Sequence, residues 1–167
     1  MFSELGYSVK TIGEYAVEKY PFDILLNAAR VGDKLFCKAP YTSKSLLCAM
    51  KEIDVFPIDV KQGYAKCSTL IISENAIVTA DASIARTAEK NGIKVLLISE
   101  KGVVLNGYEY GFIGGASGND GEHIFFCGDL MSHPCGKEIE SFCRENGKEP
   151  ISLSNDPLYD VGTIFFI

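Results

Sequence analysis

The stretch Lys66-Cys67-Ser68-Thr69-Leu70-Ile71-Ile72-Ser73 reads as a strand, with Cys67, Thr69 and Ile71 alternating against Ser68, Leu70 and Ile72. Ser73-Glu74-Asn75 turns the chain. Ala76-Ile77-Val78-Thr79 returns it, in residues that suit a pleated surface. Asp81 follows at a position where a carboxylate accepts from the free N–H groups of a helix start. Ile84, Ala85 and Ala88 then form one apolar stripe. Asn91-Gly92 ends that helix, because glycine takes the left-handed conformation at little cost. Residues 93–98 are mostly apolar, which predicts a strand buried on both faces. The unit is therefore hairpin, helix, strand.

The same order recurs on both sides. Upstream, Asp23-Ile24-Leu25-Leu26-Asn27-Ala28 and Lys34-Leu35-Phe36-Cys37 read as hairpin arms around the turn Arg30-Val31-Gly32-Asp33. Thr42 or Ser43 caps a helix with Leu46, Leu47 and Met50 on its apolar face. Val55-Phe56-Pro57-Ile58 is the next strand, and Pro57 places it at an edge. Downstream, Gly111-Phe112-Ile113-Gly114-Gly115-Ala116 and His123-Ile124-Phe125-Phe126-Cys127 flank the tight turn Asn119-Asp120-Gly121. A helix follows Pro134, with Ile139, Phe142 and Cys143 facing the core, and Pro150-Ile151-Ser152-Leu153 completes the unit. Leu5-Gly6-Tyr7-Ser8-Val9 reads as a helix end and strand, and residues 161–167 as one more first arm. The fold class is thus α/β, built from repeated ββαβ units within one domain, residues 1–167.

The balance of charge, −6 at neutral pH, repels a phosphate backbone at long range and argues against nucleic-acid partners. Residues 1–6 lack the basic and apolar segments of a secretory signal, and no apolar run is long enough to span a bilayer. These features predict a cytoplasmic protein that does not engage membranes, with its six cysteines reduced.

At residues 23–27, 61–68, 110–115 and 162–166 the chain resembles the pentein superfold, also called the guanidino-group-modifying enzyme fold. More narrowly it resembles an uncharacterised bacterial family assigned to that fold. The most distinctive stretch is Lys61-Gln62-Gly63-Tyr64-Ala65-Lys66-Cys67-Ser68. The resemblance implies ββαβ units arranged like propeller blades about a pseudo-symmetry axis. A complete propeller has five units, so three units with partial units at each end imply an incomplete one. Either the N-terminus is short, or the two ends join into a composite unit. Characterised enzymes of the superfold use a nucleophilic Cys in the last unit, with a His and carboxylates, and residues 159–167 contain no Cys and no His.

By the same resemblance, the first arm of each hairpin lines a central channel. That makes Asn27, Lys66, Ser68, Gly114, Gly115, Ser117 and Thr163 ligand-binding candidates, and Cys67 the candidate nucleophile. Strand alternation points Lys66 away from Cys67, so three readings of the thiol stay open: core residue, channel residue without chemistry, and nucleophile. Asp23 and Asp160 each precede a first arm, where a carboxylate either serves a turn or holds a guanidinium ligand. His123, Cys127, His133 and Cys135 fit no standard zinc spacing, and His133 reads as a surface residue near a helix start. The glycines near position 115 precede a strand rather than a helix, which is wrong for a phosphate loop. Neither a metal nor a cofactor is expected.

Two functions follow. One is a non-catalytic module that binds a small cationic, guanidino-like ligand or a partner. The other is a cysteine-dependent guanidino-group hydrolase or amidinotransferase-like enzyme using Cys67, with Asp23 holding the substrate. The absence of a standard catalytic set favours the first. The exposed edges of an incomplete repeat predict a homodimer.

Overall fold

The computed structural model describes residues 2–9 and 19–166. Among these, nine strands and three α-helices follow one order three times. The first unit holds β1 (Ala29–Val31), β2 (Lys34–Cys37), α1 (Lys44–Lys51) and β3 (Phe56–Asp59). The second holds β4 (Thr69–Ser73), β5 (Ala76–Thr79), α2 (Ala82–Lys90) and β6 (Lys94–Leu97). The third holds β7 (Ser117–Asn119), β8 (His123–Phe126), α3 (Gly136–Glu145) and β9 (Glu149–Ser152). Each unit makes its own three-stranded sheet. The hairpin arms pair antiparallel, and the strand after the helix pairs parallel with the second arm. No sheet closes into a barrel. No helix of the described residues is long and apolar enough to cross a membrane.

The first arms start later than the sequence predicts. Residues 23–28, 66–68 and 111–116 are turns and irregular chain, not strand. The turn of the first hairpin is correspondingly Gly32-Asp33 alone, with Arg30 and Val31 in β1. The local cause is visible at Ser68, whose N–H donates to the Tyr64 carbonyl instead of a ladder partner. The strand after α2 also differs: β6 is an edge strand and partly exposed, while β5 is buried throughout. β5 is central in its sheet and packed on both faces, so it takes the place foreseen for β6. The third helix begins at Gly136 after a short 3₁₀ turn, Leu130–Ser132. Ser43, not Thr42, caps α1. Gly6 closes a 3₁₀ turn in the left-handed conformation, but residues 7–9 form no strand. Ile167 lies outside the described residues, and residues 161–166 carry no strand assignment.

Packing interleaves the units. Ile84 and Ala88 of α2 cluster with Ala29, Val31 and Phe36 of the first unit. Ile139 and Cys143 of α3 cluster with Leu70, Ile72 and Val78 of the second. α2 and α3 therefore each lie between their own sheet and the sheet before it. α1 buries no residue fully, and partly buried side chains such as Leu47 and Met50 reach its core. First arms also meet in sequence, β1 against β4 and β4 against β7. Residues 161–166 continue the series: Ile164 N–H donates to the Ser117 carbonyl at 3.3 Å and its side chain lies against Gly118.

Candidate functional site

The irregular segment before each first arm brings the units' polar residues together. Equivalent positions are joined from unit to unit. The Cys67 N–H donates to Asn27 Oδ1 (3.3 Å), the Gly115 N–H to the Cys67 carbonyl (3.1 Å) and the Val161 N–H to the Gly115 carbonyl (3.2 Å). Asn27 Oδ1 also accepts from the Lys66 N–H at 2.8 Å, and its Nδ2 lies 3.1 Å from Cys67 Sγ.

The Lys66 side chain crosses the junction. Its Nζ donates to the Gly114 carbonyl (3.1 Å) and to Thr163 Oγ1 (3.0 Å), and Thr163 Oγ1 donates onward to the Ser117 carbonyl (3.5 Å). One ammonium thus ties the second unit, the third unit and the terminal segment. Ser117 Oγ is engaged with the Ile113 carbonyl at 2.7 Å. Gly114 and Gly115 are needed here because the chains touch. A Cβ on Gly114 would overlap the Thr69 and Lys66 carbonyls, and one on Gly115 would overlap the Asp160 carboxylate.

Asp160 is the acidic group of the centre. It is 7% exposed, and its two oxygens accept from the Phe112 N–H (2.9 Å) and the Gly162 N–H (2.9 Å). Burial pushes the Cys67 thiol above its ordinary value. The Asn27 amide and the Lys66 charge work the other way and do not overcome it, while the Asp160 charge adds to the rise. Burial also lowers Lys66, against the pull of Cys67 and Asp160. A thiol in this setting stays protonated at neutral pH.

Neither histidine serves it. His123 pairs with Asp120 at 3.0 Å on the third hairpin. His133 is buried at 4% exposure, not on the surface as its sequence position suggests; the Gly102 backbone packs on its ring. Its Nδ1 accepts from the Cys135 N–H at 3.0 Å, and burial holds it below the ordinary histidine range.

Seven of the predicted residues meet at this centre: Asn27, Lys66, Cys67, Gly114, Gly115, Ser117 and Thr163. Ser68 does not; its Oγ is buried without a partner and lines a separate cavity. Asp23 sits at the exposed rim, where Tyr64 donates its hydroxyl to Oδ2 at 2.5 Å. The sequence reading missed the aromatic row at this rim. Tyr64 stacks on Phe112 with centroids 6.0 Å apart, and Tyr20 and Tyr110 extend the row. The signal was present in Tyr64 and Phe112, each four residues ahead of the last residue before its first arm. Reading those stretches as strand hid their shared position.

The chain belongs to a family of unknown function, DUF6873, whose model matches residues 1–165. No curated protein matches it, and no solved structure does.

Proposed function

We propose that the chain is a non-catalytic binding module of pentein type, taking a small cationic, guanidino-like ligand at the rim of its polar centre. The serial contact of β1, β4, β7 and the terminal segment supports a propeller-like arrangement around that centre. The observation that carries the functional reading is the state of Cys67. Its thiol is desolvated, its pKa is raised, and both histidines are occupied elsewhere. A nucleophilic cysteine needs the opposite, a stabilised thiolate beside a base. Lys66, the nearby cation, spends its donors on Gly114 and Thr163. The rim suits a planar cation: the Asp23 carboxylate supplies charge, and Tyr20, Tyr64 and Phe112 supply ring faces.

The test joins reactivity to binding. Alkylation of each cysteine is followed against pH by mass spectrometry, and guanidinium and L-arginine are titrated calorimetrically into wild type, Cys67→Ser and Asp23→Asn. The expected result is a slow Cys67, binding that survives Cys67→Ser, and binding weakened about tenfold by Asp23→Asn, the worth of one charge-assisted contact. Fast alkylation of Cys67 well below pH 8, with consumption of arginine that Cys67→Ser abolishes, would establish the cysteine-dependent hydrolase instead.

A further inference from the structure

A polar cavity lies between the second and third units, apart from the Lys66–Cys67 centre. It is small, about 40 Å³, and is bounded by the segment before β4, the start of α2, the chain after β6, and residues 110–113. Two observations single it out.

The first is an orphan. Ser68 is 3% exposed, lines the cavity, and its Oγ has no hydrogen-bond partner. A buried hydroxyl without a partner costs roughly 1–3 kcal/mol, so it is kept where something satisfies it.

The second is the sign of the remaining wall. Asp81 and Glu100 both line the cavity, and among the described residues no lysine or arginine does. Asp81 Oδ1 is used up, accepting from the Ser83 and Ile84 N–H groups and the Ser83 hydroxyl at the start of α2. Its Oδ2 accepts only from Gln62 Nε2, at 3.2 Å, and retains acceptor capacity. Burial raises the Asp81 carboxyl, but the bonds from Ser83, Ile84 and Gln62 outweigh it and hold it below its usual value, so it is charged at neutral pH. His133 closes one side as a neutral ring, with Nδ1 already accepting from Cys135. The wall therefore offers acceptors and negative charge to whatever enters.

From this we infer that the cavity is a binding site for a compact monovalent cation, an ammonium ion or K⁺, held by Ser68 Oγ, Asp81 Oδ2 and the Glu100 carboxylate. The volume has room for about three or four water-sized spheres, at about 10–15 Å³ each, which excludes bulky quaternary amines. Ammonium brings four donors to an acceptor-lined space, and K⁺ is of similar size and meets the same oxygens. The site stands on its own residues and does not depend on ligand binding at the Asp23 rim.

The experiment is calorimetric titration of the full chain with ammonium chloride and with potassium chloride, at ionic strength held constant with tetramethylammonium chloride. Ser68→Ala and Glu100→Gln are titrated in parallel. Both variants are expected to fold: the first removes an unpartnered group, and the second changes an exposed side chain. Saturable binding is expected for ammonium, K⁺ or both, with each variant weakening it about tenfold. Tighter binding of ammonium assigns the selectivity to directed hydrogen bonds, and equal binding assigns it to size and charge. Absence of saturable heat from both cations in wild type, or affinity unchanged in both variants, would overturn the inference. Guanidinium binding at the rim is weakened by Asp23→Asn and not by Ser68→Ala, so failure at one site is distinguishable from failure at the other.

Discussion

Gly115 and Tyr64 show how much of the centre depends on single atoms. The Gly115 Cα lies against the Asp160 carboxylate so closely that no side chain fits. Gly115→Ala must displace either Asp160 from the Phe112 and Gly162 N–H groups or the third unit from Cys67. It is expected to cost about 1–3 kcal/mol, read as a lowered urea midpoint with unchanged slope. Tyr64 makes a separate, electrostatic prediction. Its hydrogen bond to Asp23, helped by burial, pushes the phenol up to about 12. A pKa raised on folding stabilises the native state below the ordinary tyrosine value, and that contribution is lost as pH rises through about 12. Asp23→Asn should bring the phenol down toward 10.0. The difference in tyrosinate absorbance between this variant and its Tyr64→Phe counterpart measures it; an unmoved titration would mean that Asp23 does not hold the ring.

The helices were the most legible elements, and the starts of the first arms the least. Asp81 caps α2 as its position suggested, and the same helix buries Ile84, Ala85 and Ala88. Asp81→Ala should cost about 0.5–2 kcal/mol in thermal or urea unfolding. These signals are local: a cap and a stripe act within one element. The segment from Lys66 to Ser68 continues the alternation of β4, but its partners are Asn27, forty residues upstream of Cys67, and Gly115 in the next unit. No local pattern announces partners that distant, so the arms were drawn too long. The third hairpin returns to local chemistry. Asp120 accepts from the Glu122 and His123 N–H groups, and these bonds hold its carboxyl near 2. A pKa lowered on folding stabilises at neutral pH and is lost as pH falls through about 2. Asp120→Asn should therefore flatten the acid limb of the unfolding curve, and an identical limb in both proteins would refute the assignment.

At the scale of the molecule, stability is shared across units. Ile139 belongs to α3 yet packs with Leu70, Ile72 and Val78 of the preceding unit. Ile139→Ala should cost about 2–5 kcal/mol and lower the second and third units in one transition; hydrogen exchange confined to α3 would contradict it. The repeat itself was legible because helix and hairpin signals recur in order. How the units meet was not, because it is written in backbone contacts. Gly115 and Val161 each donate a main-chain N–H to the main-chain carbonyl of the step before, while Cys67 donates its N–H to the side chain of Asn27. A thiol, a hydrogen atom and an isopropyl group occupy successive steps of one staircase without altering its treads. The scaffold thus leaves the side chain open to change at Cys67 and Val161, while the Asp160 carboxylate holds Gly115 to a hydrogen atom and the first step is fixed to a carboxamide.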